Sequence, residues 1–408
     1  MSQWPPFSRL NSLPRALLSI ATLLVIALAT LGRPASWAAP VAHPSNQTVP
    51  HEQLTYLPVI GSPLIKTCDF YLYACNLTAG YAGATMTYDW SPDGRTIAFY
   101  GDEGEVSGLY TMDEQGKNRR LLLTLSRIDL IRYSPNGTMI ALIVSRPGSL
   151  SDSDPAHGHS IYDLYVYTLA TGQVRLLSDP ASEDFSDLVP DWSPDSRTLV
   201  FTRYQHSSTM GDIYTIRPDG SELTQLTDTT LHEHRPIYSP DGTRIAYAVS
   251  DITNPSIIVS IAVMEADGSN PTNLTSAVAP FTYDPLWAAD GNSIFFFSST
   301  ENHDWDIYKI GADGSDPVNL THDALQQSDP VLSPDGSQIL FIGRADIVAS
   351  EIDFYTMNID GSNVTKYPNP HGTDKHPSMV KWHPNGQRIS YATFTDKLNL
   401  YLLRLGVE

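Results

Sequence analysis

A phrase built on Ser-Pro-Asp-Gly, preceded by an aromatic or apolar residue and followed by a β-branched and aromatic run, recurs seven times in this 408-residue chain. Its copies begin at Trp90, Tyr133, Trp192, Tyr238, Trp287, Leu332 and Trp382, with separations of 43, 59, 46, 49, 45 and 50 residues. Repeats of this period signal a propeller or a solenoid. In Trp90-Ser91-Pro92-Asp93-Gly94 the proline presets φ, the aspartate caps its own turn and the glycine supplies a positive φ, so each phrase is a tight turn. A strand should follow it. Ile97 and Phe99, Leu199 and Phe201, and Ile339 and Phe341 stand two apart on one face of that strand, and the residues between them are mostly apolar too, so both faces are covered.

A second recurring strand carries Leu109-Tyr110, Leu164-Tyr165, Ile213-Tyr214, Ile307-Tyr308, Phe354-Tyr355 and Leu400-Tyr401, and Asp-Gly turns such as Asp219-Gly220 and Asp360-Gly361 end several copies. A third closes on Leu-Thr, as at Leu226-Thr227, Leu274-Thr275 and Leu320-Thr321. The proline two residues before several anchors marks entry to the innermost strand. The fold class is therefore an all-β propeller of four-stranded blades. Seven blades is the economical count, with six plus an irregular one as the alternative. After Trp382 no Leu-Thr strand follows, whereas Asn76-Leu77-Thr78 lies upstream of Trp90 at the repeat spacing. The N-terminal segment is expected to complete the last blade beside the C-terminal strands, removing an open edge.

The remaining segments divide as 1–38, 39–63 and 64–408. In the first, Arg9 and Arg15 precede an apolar run from Ala16 to Leu31, and Ser36-Trp37-Ala38 offers small residues at a cleavage site, which reads as a signal peptide or an uncleaved anchor. The second is a proline-rich linker and the third the propeller, so the chain is expected to be extracytoplasmic, either secreted or in the periplasm or cell envelope. Cys68 and Cys75, the two cysteines, are expected to form a disulfide in that compartment. A net charge of −20 disfavours nucleic acid and anionic lipid as partners.

Catalytic motifs are scarce. Gly158-His159-Ser160-Ile161-Tyr162 lacks the last glycine of a nucleophile elbow, and it borders a polar insertion that holds Asp152, Asp154, His157 and His159. Neither His-Glu-x-x-His nor a phosphate-binding glycine loop occurs. The polar residues ahead of the inner strands remain: His232, His234, Arg235, Tyr283, Asp284, Asp329 and His376, read as loops that open onto one mouth of the channel. His232, His234 and His376 are the metal candidates, ordinary solvated loop residues being the other reading. The expectation is a monomeric, non-catalytic module that binds a protein, peptide or glycan at this mouth without a required cofactor. A metal-dependent carbohydrate-active enzyme and an anchored structural protein of the envelope are the alternatives.

The phrase Trp-Ser-Pro-Asp-Gly-x-x-Ile-Ala-Phe, followed by Ile-Tyr and Asp-Gly, resembles the repeat of TolB-type β-propellers over residues 85 to 408. Trp90 to Phe99 carries it nearly letter for letter, and Ser196 replaces its glycine in blade 3. TolB itself joins a six-bladed propeller to an N-terminal α/β domain, whereas a short linker precedes the repeats here. Similar propellers precede peptidase domains in the prolyl oligopeptidase group, and others are oligogalacturonate lyases that use histidines and a metal. The resemblance therefore implies the fold and leaves the function divided.

Overall fold

The computed structural model describes residues 74–79, 87–103, 106–147, 160–178, 184–205, 210–251, 259–275, 281–299, 305–321, 326–344, 352–371, 377–394 and 398–405. The leader, the linker, Cys68, His376 and most of the blade 2 insertion lie outside them. Among the described residues there are 28 strands and no helix. They form seven antiparallel blades of four strands. The first strands of the blades are β2 (Tyr88–Trp90), β6 (Ile128–Tyr133), β10 (Phe185–Trp192), β14 (His232–Tyr238), β18 (Phe281–Trp287), β22 (Gln326–Leu332) and β26 (Pro377–Trp382). These pack against one another across neighbouring blades, for example β10 on β14 and β22 on β26, and so surround the central channel.

Blade 7 is closed by strands distant in sequence. Its order is β1 (Ala74–Asn76), β28 (Leu398–Arg404), β27 (Arg388–Phe394), β26, with Cys75 opposite Leu402 and Asn76 opposite Tyr401. Leu77 is 1% exposed among Tyr88, Met112, Leu400 and Leu402, and the Thr78 hydroxyl accepts the Leu400 N–H at 3.0 Å. Cys75 is disulfide-bonded. The six-blade alternative is excluded by this count, and the expected clasp is the one formed.

The turn chemistry follows from the residues. In the first copy the Ser91 hydroxyl donates to Asp93 at 2.6 Å, Asp93 accepts the Arg95 N–H, and Gly94 takes φ 70°. Hydrogen bonding from Ser91 holds the Asp93 carboxyl below its ordinary range. In blade 3, Ser196 adopts the same left-handed conformation at φ 62°, and its hydroxyl accepts the Asn136 N–H of the neighbouring blade. The apolar pairs of the second strands, Ile97 with Phe99 through Ile389 with Tyr391, are all fully buried. The anchor tryptophans tie blade to blade. The indole N–H groups of Trp192, Trp287 and Trp382 donate to the carbonyls of Arg132, Ile237 and Val331 in the preceding blades, at 3.2, 3.3 and 3.1 Å.

One residue before each anchor, the channel wall changes character around the ring. Asp89 takes Lys381 of blade 7 on one oxygen at 2.6 Å and the Tyr133 N–H of blade 2 on the other. Asp191 repeats this with Arg132 of blade 2 and the Tyr238 N–H of blade 4. Two aspartates thus link blades 7, 1, 2, 3 and 4. The equivalent positions of blades 4, 5 and 6 are Ile237, Leu286 and Val331.

The prolines two before the anchors are not at the strand entry, as the sequence reading has it. Pro190, Pro236, Pro285 and Pro330 sit inside the inner strands, where the register slips by a bulge between Leu188 and Asp191, His234 and Ile237, Tyr283 and Leu286, and Ser328 and Val331. A bulge leaves one residue outside the ladder, so a proline costs no hydrogen bond there.

Candidate functional site

The residue preceding each of these prolines is left-handed: Val189 at φ 49°, Arg235 at 55°, Asp284 at 52° and Asp329 at 53°, with Met379 at 53° in blade 7. Non-glycine residues avoid this region, and the conformation is held here by the ladder on either side. Five consecutive blades repeat it, so the geometry belongs to the fold. What differs is the side chain, and on blades 4, 5 and 6 it is charged.

Arg235 pairs with Asp284 across the blade 4–5 seam. The Asp329 side chain on β22 is exposed to solvent. The protein crowded around it nevertheless raises its carboxyl above the ordinary range, against the opposing pull of Ser328, Arg235 and Arg344. The structure therefore brings Arg235, Asp284 and Asp329 together. Tyr283 is in β18 beside Asp284, its backbone opposite Phe297. These residues, and His232 with His234, lie in the inner strands rather than in loops before them.

His232 and His234 are buried and their rings stack at a centroid distance of 4.6 Å. The Gly211 N–H donates to His232 Nδ1 at 2.9 Å, which leaves the proton of the neutral ring on Nε2, 2.7 Å from the Tyr204 hydroxyl. Only glycine fits at 211, since a Cβ there would stand 2.8 Å from the ring. His234 Nε2 meets Ser250 Oγ at 3.1 Å. Burial pulls His232 down to about 4 and His234 well below its ordinary value. Three of the four ring nitrogens are thus engaged with protein, and among the described residues no group of three His, Cys, Asp or Glu side chains is arranged to hold a metal. The stacked pair therefore leaves one ring nitrogen, Nδ1 of His234, for a metal. His376, the third metal candidate, lies outside the described residues.

Sequence reading missed the role of the Leu-Thr motif. Its hydroxyl accepts an N–H from the third strand of its own blade and turns to the inner strand of the next. Ser178 accepts the Leu164 N–H and donates to Asp187 at 2.6 Å, Thr275 links the Ile261 N–H to Thr282, and Thr321 links the Ile307 N–H to Gln327. In blade 3, Thr227 accepts the Ile213 N–H and meets Glu233. The recipient always stands five residues before the anchor, and that spacing was the available signal.

Glu233 is 2% exposed and burial pushes its carboxyl up to about 7. A raised pKa stabilises the fold below the ordinary value of 4.5, and this contribution is lost as pH rises through 7. His232 acts in the opposite sense: its stabilisation is full above 6.5 and is lost as pH falls towards 4. In metal-free buffer Glu233→Gln should therefore be more stable than the parent above pH 7, by about 2 kcal/mol after allowance for screening. The advantage should vanish near pH 4.5, and thermal unfolding across pH 4 to 8 measures it. An equal offset at every pH would show that the carboxylate is not responsible.

A family model described as the TolB beta propeller domain matches residues 157–378. Among curated relatives, an uncharacterized peptidase, YuxL, of Bacillus subtilis is 24% identical over 236 residues, covering 55% of this chain and 31% of that protein. The Tol-Pal system protein TolB of Anaeromyxobacter dehalogenans is 27% identical over 191 residues, 45% of this chain and 42% of the relative. The chain thus spans less than half the length of these two. Among solved structures, an oligogalacturonate lyase in complex with manganese superposes with a TM-score of 0.64 at 16% identity, covering 84% of this chain and 96% of the lyase. The β-propeller domain of the trilobed protease from Pyrococcus furiosus gives 0.56 at 13% identity, covering 80% and 94%. The expectation of a non-catalytic module is overturned, because propellers of this shape include a lyase and a relative in sequence is named a peptidase. Its repeats, its seven blades and the family match together place the chain in the TolB beta propeller domain family.

Proposed function

We propose that this propeller is an exported carbohydrate-active enzyme whose substrate meets Arg235, Asp284 and Asp329 at the bulged turn of the channel wall. The observation that carries the reading is the placement of three charged side chains on the same left-handed bulge of three consecutive blades, where Val189 and Met379 show that charge is not needed for the fold. A carboxyl group raised by burial is suited to exchanging a proton with a substrate hydroxyl or ring carbon. Arg235, held by Asp284, supplies the positive charge that such a step needs beside it. The shape shared with a lyase over most of both chains supports a saccharide as the first substrate class to test. Export through residues 1–38 to the periplasm or exterior belongs to the same proposal.

The test is turnover of a panel of uronate-containing and neutral oligosaccharides, read as new reducing ends and as absorbance of unsaturated products. Asp329→Asn should lower kcat by about 10²–10⁴-fold with an unchanged melting temperature, and Met379→Ala, on the same ring of bulges, should keep full kcat. Absence of turnover on the whole panel, or full activity in Asp329→Asn, would overturn the proposal.

A further inference from the structure

Blades 2, 3, 5 and 6 each carry an aspartate before the apolar-tyrosine pair of the third strand: Asp163, Asp212, Asp306 and Asp353. Three of them have compensating partners. Arg146 lies 2.7 Å from Asp163, Lys366 lies 2.7 Å from Asp353, and the Asn319 amide donates to Asp306 at 2.8 Å. At the seam with blade 3, Asp187 of β10 stands close to Asp163, five residues before the anchor Trp192, and Arg203 of blade 3 pairs with it at 2.7 Å. Two carboxylates there meet two guanidinium groups.

The seam between blades 3 and 4 repeats the two acids without the cations. Asp212 and Glu233 occupy the corresponding positions, and both converge on Thr229, which donates its N–H to Asp212 and its hydroxyl to Glu233. Asp228 stands next to Thr229 and acts electrostatically on Asp212. Among the described residues none of these three acids has an ion pair with lysine or arginine. The second oxygen of Glu233 is buried, and apart from the weaker approach of the Thr227 hydroxyl it has no hydrogen-bond partner among the described residues. A buried carboxylate oxygen left in this state is costly unless something positive or hydrogen-bonding reaches it.

We infer that Asp212 and Glu233, with Asp228 and the Thr229 hydroxyl beside them, bind a divalent cation, calcium in the first place, which fills the role of Arg146 and Arg203 at the seam of blades 2 and 3. The donors are all oxygen, which selects a hard cation over zinc or copper. His232 and His234 flank Glu233 along the strand and so point to its opposite face. Because no three acidic or imidazole side chains form a closed cage among the described residues, water completes the shell. Such open sites bind calcium at roughly 10⁻⁴ to 10⁻³ M.

The experiment uses the 408-residue chain, stripped with chelator and titrated with calcium chloride, with magnesium chloride as comparison. Unfolding temperature is followed throughout, and equilibrium dialysis counts bound calcium. Calcium at about 10 mM should raise the melting temperature by several degrees with close to one ion bound per chain. Asp212→Asn should lose both responses, and Asp329→Asn in the channel should keep them, which separates this site from the proposed catalytic one. Glu233→Gln should also lose them. Should that buried variant fail to fold, the half-exposed Asp212 decides the matter alone. No thermal shift with calcium, or an undiminished shift in Asp212→Asn, would overturn the inference.

Discussion

A double substitution, Leu77→Ala with Thr78→Val, should lower the melting temperature by on the order of 10 °C while leaving the rest of the sequence intact. Leu77 is enclosed by Tyr88 and Met112 of blade 1 and by Leu400 and Leu402 of blade 7, so its removal opens a cavity at the ring seam. Loss of a buried leucine costs about 2–5 kcal/mol. Thr78 adds a second deficit, because the Leu400 N–H would face a methyl group in place of its hydroxyl acceptor. Calorimetry on the parent and the double variant measures both. An unchanged melting curve would mean that the seam is held without β1, by contacts such as Trp90 on Ser390, Lys381 on Asp89 and Arg388 on Glu114.

Arg203→Met is expected to have a comparable effect from a different cause. Arg203 donates to both oxygens of Asp187, which is 1% exposed and also takes the Ser178 hydroxyl. Its guanidinium additionally lies over the rings of Phe201 and Tyr214. Removing it strands a buried carboxylate, at a cost of about 3–5 kcal/mol. The pair with Asp187→Asn should recover most of that loss, since the amide is neutral and can still accept from Ser178. Denaturant unfolding of the two singles and the double gives the coupling. If the double variant is as unstable as the sum of the singles, the cost comes from lost packing over the aromatic rings.

The fold was largely legible because each blade repeats the same local chemistry. The turn residues, the paired apolar positions and the upstream Leu77-Thr78 each point to one architecture, and they agree. The candidate site was legible only as a set of residue types. Arg235, Asp284 and Asp329 are each one residue before a proline, and the sequence reading took that proline as the start of a strand. Only the register of the paired strands shows that the chain bulges there. The histidines misled for a related reason. Their alternation in His232-Glu233-His234 suggests ligation, while the partners that occupy their nitrogens, Gly211, Tyr204 and Ser250, come from other strands at separations that no local pattern records. The Leu-Thr hydroxyl was visible as a strand ending, but its partner belongs to the next blade.

The seam between β1 and β28 also sets a schedule. Asn76 and Tyr401 are 325 residues apart in the chain, so Leu77 has no blade 7 wall to pack against until β28 is made. At ordinary synthesis rates that interval is roughly 20–60 s, during which six blades can form locally but the ring remains open. Closure joins contacts of the greatest sequence separation among the described residues, which makes it a late step and exposes the edge of β28 until it happens. A chain built this way reaches its final stability only once β28 has met β1, and any factor that handles it before then meets an open arc instead of a ring.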